Sequence, residues 1–325
     1  MHPSHATPMD LRVTVFGAGA VGAYFGGRLA EAGASVGFVA RGETLRAIRE
    51  RGLRVTSPDG NFTIDPARVS ADPAELGLAD VILLGVKTWQ VTEAAHAIRP
   101  ALGADSFVVP LQNGVEAPDQ LADILGAERV VGGLCRIIAR IVDPGVIRHE
   151  GAAPYVGFGE LDGRMSARVA RLQAAFARAR GLTAEALSDI QGALWRKFLF
   201  IASVSGIGAV TRAPIGVLRQ RAETRELLER AMWEVRAVAV ARGVPLPEAA
   251  VAETMAFTDT LPEDGTTSMQ RDIMAGRPSE LEAQSGAVVR LGRNVRVETP
   301  VHEFIYRSLV PLELRARGEL AFRVE

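Results

Sequence analysis

The stretch Val13 to Gly22, VTVFGAGAVG, constrains this chain more than any other: a short apolar run breaks into three glycines and opens a helix. Gly17 lets the chain reverse out of a strand. Gly19 removes a side chain where backbone must approach a pyrophosphate, and Gly22 lets the following helix lie close on a sheet. A helix begun this way aims its unpaired N–H groups and its dipole at phosphates. Context supports the pattern, because Tyr24, Phe25, Leu29 and Ala30 give the helix an apolar face that ends at Gly33. Gly17, Ala18, Gly19, Ala20, Val21 and Gly22 are therefore the expected dinucleotide contacts, a strand-turn-helix without ligand being the alternative.

The chain is long enough for about two domains, each with its own core. A formal net charge of −1 and a pI near 6.6 give no electrostatic reason for a nucleic acid or anionic membrane partner, so a small substrate is expected. Cys135 is the single cysteine, which excludes an intrachain disulfide and an intrachain thiolate zinc cluster and fits a reducing cytoplasm. Residues 1–10 lack the apolar core of a signal peptide and read as a loose tail. No unbroken apolar run has the length of a membrane span, and no metal ligand set stands out.

After the first helix, Ser35–Val39 reads as a second strand, and the residue that follows bears on the cofactor. NAD-preferring turns place Asp or Glu about 20 residues on, to bind the ribose hydroxyls. Here Arg41 stands nineteen residues past Gly22, and a guanidinium suits a 2′-phosphate. NADP is favoured, a solvated strand-end arginine being the alternative. Thr44 to Arg51 reads as an exposed helix, and Leu53–Val55 with Phe62–Ile64 as a hairpin around Ser57 to Gly60. Ala79 to Val86, apolar except for Asp80, reads as a strand of the parallel-sheet kind, ending in Lys87-Thr88-Trp89-Gln90. Ser106–Pro110 repeats this and runs into Gln112-Asn113-Gly114, a turn signal in itself. The carboxyl ends of such strands are where parallel sheets bind ligands. Val130 to Val142 and Val146 to Gly159 suggest further strands closing the sheet, and Arg164 to Arg180 an amphipathic helix.

From Ser188 on the pattern is helical. Beyond Asp189 at its start, the segment to Val204 carries only Arg196 and Lys197 as charges and is mostly apolar, so the helix is expected to be buried all round and these two charges to need a cleft or partners. Lys197, Ile201 and Ser205 fall on one face. Further helices are expected over Arg219–Arg242, Glu248–Thr258, Ser279–Arg293 and Pro300–Arg317. The chain thus divides into 11–188, a Rossmann-type α/β nucleotide-binding domain, and 189–325, an all-α domain, the cleft between them being the default active site.

Taken together, Gly17 to Gly22, Lys87 to Gln90, Gln112 to Gly114, Trp195-Arg196-Lys197 and Ser268 with Glu280 make the chain resemble the ketopantoate reductase family over about Leu11 to Leu320. The resemblance implies a Rossmann domain followed by a helical domain like the 6-phosphogluconate dehydrogenase C-terminal fold. It also implies NADPH-dependent reduction of 2-dehydropantoate to pantoate, a step of pantothenate biosynthesis. By position, Lys197 matches the catalytic lysine, Glu280 the acidic residue of the second domain, Ser268 a substrate-carboxylate contact, and Lys87 and Asn113 the nicotinamide and substrate end of the site. The physical reading agrees: hydride addition to a ketone leaves an alkoxide that needs a proton donor, which an ammonium on the buried helix supplies. Glu280 has a plainer alternative as a dipole-favoured carboxylate at a helix start.

The chain departs from the family pattern at Ile201 and Ser205, where the family places Asn, and at Ser285 before Gly286. Isoleucine removes hydrogen-bonding groups beside the lysine, and a site without a partner for a substrate hydroxyl discriminates less for it. A more apolar or bulkier 2-oxo acid or ketone is the expected consequence. Two other readings stay open: a related Rossmann-plus-helical dehydrogenase acting on an opine or a sugar phosphate, and an NADP-binding regulatory protein without turnover. A homodimer is compatible with the apolar helical domain.

Overall fold

The computed structural model describes residues 9–323; the first eight residues of the expected N-terminal tail lie outside them. The described residues fall into two compact units: 9–112 with Ala117–Ile190, and Asn113–Glu116 with 191–323.

In chain order the first unit carries β1 (Arg12–Phe16), α1 (Ala20–Glu31), β2 (Ser35–Val39), α2 (Gly42–Arg51), β3 (Leu53–Thr56), β4 (Phe62–Ile64), β5 (Arg68–Ser70), β6 (Ala79–Leu84), α3 (Val91–Ala97) and β7 (Leu102–Pro110). It continues with α4 (Ala117–Leu125), β8 (Val131–Asp143), β9 (Val146–Glu160), α5 (Ala167–Ala177) and β10 (Thr183–Ala186). Five strands form a parallel sheet in the order β5-β2-β1-β6-β7, which is the order 3-2-1-4-5 of a Rossmann sheet when only its own strands are counted. Alternation along the strands divides the core between two faces. Val13, Val15, Val81 and Leu83 pack with Tyr24, Phe25 and Leu29 of α1 and with Leu172 and Phe176 of α5. Phe16, Ile82 and Leu84 pack with Val91 and Ala94 of α3 and Leu121 of α4. Burial on both faces is why these strands are near-continuous apolar runs.

The strands expected to close this sheet do not do so. β8 and β9 pair antiparallel in a second sheet, ordered β10-β9-β3-β4, which also takes in the hairpin β3–β4. Val108 and Val130 make an isolated bridge. The physical reason lies in connection length: a two-residue turn joins β8 to β9, which allows an antiparallel pair and excludes the crossover a parallel neighbour needs. β10, short and polar, had no strand signal of its own and is held by parallel pairing to β9.

The second unit is helical: α6 (Ile190–Thr211), α7 (Ile215–Gln220), α8 (Ala222–Ala241), α9 (Ala249–Asp259), α10 (Ser268–Met274), α11 (Ala287–Asn294) and α12 (Pro300–Ala316). The helix expected over Arg219–Arg242 is two, broken at Arg221, whose backbone is extended. The one expected over Ser279–Arg293 opens with a π-helical turn, Glu282–Gly286, before α11. α6 is long and apolar enough to cross a membrane by length and composition, and 67% of its most apolar window is buried inside the protein. Met255, Leu228, Met232, Val235 and Val288 are core residues of this unit.

Candidate active site

The glycine turn of the first unit is built by backbone contact. Gly17 has φ +102°, a conformation a side chain rarely adopts. A Cβ on Gly22 would lie 2.3 Å from the Gly17 carbonyl oxygen and 2.9 Å from a Val15 methyl. Gly19 is different: it has an ordinary φ of −75°, and a Cβ there would meet nothing nearer than the Gly85 oxygen at 3.8 Å. Packing within the protein therefore requires Gly17 and Gly22 but not Gly19, and the open space over Gly19 is where a pyrophosphate would approach. α1 begins at Ala20, with no side-chain cap and no carboxylate in its first turn, so its N-terminal dipole is unopposed. Ala18 is buried and its N–H bonds the Val39 carbonyl; Ala20 and Val21 are half-buried at the helix start. These residues fit a dinucleotide phosphate.

Two further residues hold the turn: Gly85, which the sequence reading did not single out, and Gln112, which it named only as part of the Gln112-Asn113-Gly114 motif. Gly85 ends β6 so closely against Gly22 that a Cβ would fall 2.9 Å from the Gly22 Cα. The buried Gln112 amide donates to the Leu84 and Val86 carbonyls at 2.9 and 3.0 Å, fixing the chain on either side of Gly85. Arg41 follows β2 and precedes α2; its guanidinium pairs with Glu93 at 3.1 Å, both side chains about two-thirds exposed. Lys87 is exposed, with Nζ 5.8 Å from the centre of the half-exposed Trp89 ring.

In the second unit three of the expected residues come together. Lys197 Nζ donates to Asn113 Oδ1 at 2.9 Å, and Asn113 Nδ2 donates to Glu280 Oε2 at 3.4 Å. The polarity of the row fixes the amide: reversed, it would set NH₂ against an ammonium and a carbonyl against a carboxylate. Lys197 and Asn113 are half-buried and Glu280 is buried. The neighbouring charge on α6, Arg196, points elsewhere and pairs with Glu253 at 2.9 Å. Asn113 is held by its flanks. Gly114 has φ +101°, and a Cβ on it would stand 3.0 Å from the Ala283 oxygen in the π turn. Glu116 accepts from Arg290 at 2.7 Å, and Arg290 also pairs with Glu282.

The remaining expected residues are less concentrated. Ile201, one turn past Lys197 on the same face, is half-buried. Ser268 is the first residue of α10 and half-buried. Ser205, two turns past Lys197 on that face, is fully buried, and its hydroxyl bonds no group among the described residues. Among the described residues no group of three or more His, Cys, Asp and Glu could hold a metal ion.

One signal for the site was present in the sequence and passed over. Of 37 basic residues only two are lysines, Lys87 and Lys197. Arginine meets the surface charge everywhere else, and it cannot give up a proton near neutral pH. Both lysines are among the residues named for the site.

Known proteins resemble this chain along most of its length. Residues 13–163 match the family model described as ketopantoate reductase PanE/ApbA, and residues 189–313 match its C-terminal model. The 2-dehydropantoate 2-reductase of Mesorhizobium japonicum is 33% identical over 89% of this chain and 94% of its own. The crystal structure of a PanE/ApbA family ketopantoate reductase from Ralstonia eutropha superposes with a TM-score of 0.86 at 30% identity, covering 94% of this chain and all of the other. D-mandelate dehydrogenase, solved with NADH and anilino(oxo)acetate, shares the fold at a TM-score of 0.85 and 22% identity over 94% of this chain and 99% of its own. With both family models matched in order along most of its length, the chain belongs to the ketopantoate reductase family.

Proposed function

We propose that this protein reduces a 2-oxo acid or ketone to the alcohol with NADPH, 2-dehydropantoate to pantoate being the reaction to test first. The observation that carries the reading is the Lys197–Asn113–Glu280 row, polarised so that the ammonium is held and aimed. NADPH, when bound, supplies the hydride. Lys197 donates the proton to the carbonyl oxygen as negative charge develops there. Asn113 fixes the direction of the Nζ–H bonds, and Glu280 fixes Asn113. Gly17 to Gly22 would hold the pyrophosphate and Lys87 the nicotinamide end, with Ser268 available to a substrate carboxylate.

NADP rather than NAD follows from Arg41. Its bond to Glu93 is between exposed groups and is worth little, on the order of 0–1 kcal/mol, so a 2′-phosphate carrying nearly two charges displaces it. The fold does not decide this point, since D-mandelate dehydrogenase of the same fold was solved with NADH.

A second reading concerns the substrate and rests on Ile201. An apolar side chain one turn from Lys197 offers nothing to a substrate hydroxyl and favours an apolar substituent beside the carbonyl. The experiment is NADPH oxidation with 2-dehydropantoate beside a panel of apolar 2-oxo acids and ketones, repeated with Ile201→Asn. If the apolar reading holds, the native protein prefers the apolar ketone and the variant moves about tenfold toward 2-dehydropantoate. Equal or better native efficiency on 2-dehydropantoate overturns the apolar reading and leaves the reductase reading standing. No oxidation across the panel overturns both. A cytoplasmic location, no nucleic acid or membrane partner and a homodimer complete the proposal.

A further inference from the structure

A second polar row lies behind Glu280. Ser279, the residue before it, is 1% exposed, and every polar group it has is engaged by the end of α12 or by the turn it starts. Its N–H donates to both carboxylate oxygens of Glu313, at 3.1 and 3.0 Å, and its hydroxyl donates to Glu313 Oε2 at 2.5 Å. Its carbonyl accepts from Arg317 Nη2 at 3.3 Å, while Arg317 Nε donates to Glu313 Oε1 at 2.7 Å. The same hydroxyl oxygen accepts from the Leu281 N–H at 3.3 Å. Capping a helix start needs only that last bond. Placing a carboxylate that is 8% exposed, with its own guanidinium, against the backbone of one serine does something more. Burying such a group is costly unless it is paired and fully bonded, as it is here.

What the clamp fixes is the backbone from which the Glu280 side chain leaves. On the other side of Glu280 the chain is equally held: the Glu280 carbonyl accepts from the Gln284 N–H at 3.0 Å, and the Leu281 carbonyl from the Gly286 N–H at 3.0 Å, the bond that makes the turn π-helical. The Asn113–Glu280 bond is already long at 3.4 Å, so a small shift of this backbone would break it.

We propose that Glu313 is a positioning residue for the reaction: through Ser279 it sets Glu280, and through Glu280 and Asn113 it sets the direction of the Lys197 ammonium. The proposal rests on the reductase reading above. It predicts a particular pattern of coupling. Glu313→Gln lowers kcat about tenfold on the best ketone of the panel, with KM for NADPH unchanged, because a misplaced group costs rate without costing cofactor binding. Glu313→Asp, which keeps the charge on a shorter stem, recovers part of the loss. The double variant Glu313→Gln/Glu280→Gln is no slower than Glu280→Gln alone, because groups acting in series do not add.

The experiment measures these three variants, and Ser279→Ala as well, which removes one hydroxyl of the same clamp should Glu313→Gln fail to fold. A Glu313→Gln protein within twofold of native kcat, or a double variant whose loss is the product of the single losses, overturns the proposal. A second readout is independent of turnover. With two lysines in the chain, protein labelled with ¹³C at lysine Cε gives two side-chain signals, and Lys87→Arg identifies that of Lys197. The Lys197 signal shifts in Glu313→Gln and in Glu280→Gln and does not shift further in the double variant; a signal that Glu313→Gln leaves in place overturns the proposal. Native protein that oxidises NADPH with none of the ketones in the panel refutes the reductase reading, and the lysine spectrum then decides the positioning claim alone.

Discussion

The glycine turn of the first unit and the lysine row of the second solve opposite problems. The turn is ten consecutive residues whose requirement is backbone: a positive φ at Gly17, no Cβ at Gly22, open space at Gly19. The row is three side chains from three distant segments, at positions 113, 197 and 280, and its requirement is direction, which the close packing at Gly114 and flanking bonds at Glu116 and Ser279 supply. A binding turn can be compact because a phosphate is recognised by N–H groups of adjacent residues. An acid for a carbonyl oxygen must be aimed, and aiming needs a network. The two regions should therefore fail in different ways.

The largest expected difference is in acid stability, where the second unit is the weak one. His302 is fully buried on α12, its Nε2 bonded to the Ala231 carbonyl, and burial pulls its pKa from 6.5 down to about 4. Above pH 6.5 both folded and unfolded states hold it neutral, and it contributes nothing. Between 6.5 and about 4 the unfolded chain takes up the proton first, so stability falls as pH falls, by roughly 3 kcal/mol over the window. His302→Gln should flatten that part of the curve of melting temperature against pH, while a curve unchanged by the substitution would mean that other groups control acid unfolding.

Next in size is a split between two glycines of one turn. Gly19→Ala should leave the unfolding free energy within about 0.5 kcal/mol of native, since its methyl meets nothing nearer than 3.8 Å, and should weaken NADPH binding about 100-fold. Gly22→Ala should do both kinds of damage, with a loss of about 1–3 kcal/mol from the clash at 2.3 Å. Calorimetry with and without nucleotide separates them, and equal effects at the two positions would show that the turn is built for the fold alone.

Smaller again is the choice between nucleotides. Arg41→Ala should raise the Kd for NADPH about tenfold and leave that for NADH nearly unchanged. Glu93→Gln frees the guanidinium and should tighten NADPH binding about twofold, in keeping with an exposed pair. Equal loss of both nucleotides in Arg41→Ala would assign that residue to the fold rather than to the 2′-phosphate.

The same contrast governs what could be read from residue order. The turn, the apolar strands β1, β2, β6 and β7, and the apolar helix α6 are local signals, carried by glycine spacing and by burial on both faces, and all were legible. The second sheet was not, because β10 is a strand only through pairing with β9, and whether β8 and β9 join the parallel sheet is a matter of tertiary partner. Lys197, Asn113 and Glu280 were named through family resemblance, since Asn113 also reads as a turn residue and Glu280 as a helix-start carboxylate. The supporting contacts, from Gly85 and Gln112 to the turn and from Arg290 and Glu313 to the row, reach residues more than twenty positions away and so have no local sign.

The measurement that tests the account most directly is Lys197→Ala, with NADPH oxidation on the best ketone of the panel and NADPH binding followed on the same preparation. A loss of kcat of about 10²–10⁴-fold with a Kd for NADPH within about twofold of native would confirm that this unit supplies the acid and not the cofactor site. Turnover within tenfold of native, or nucleotide binding lost together with turnover, would contradict it.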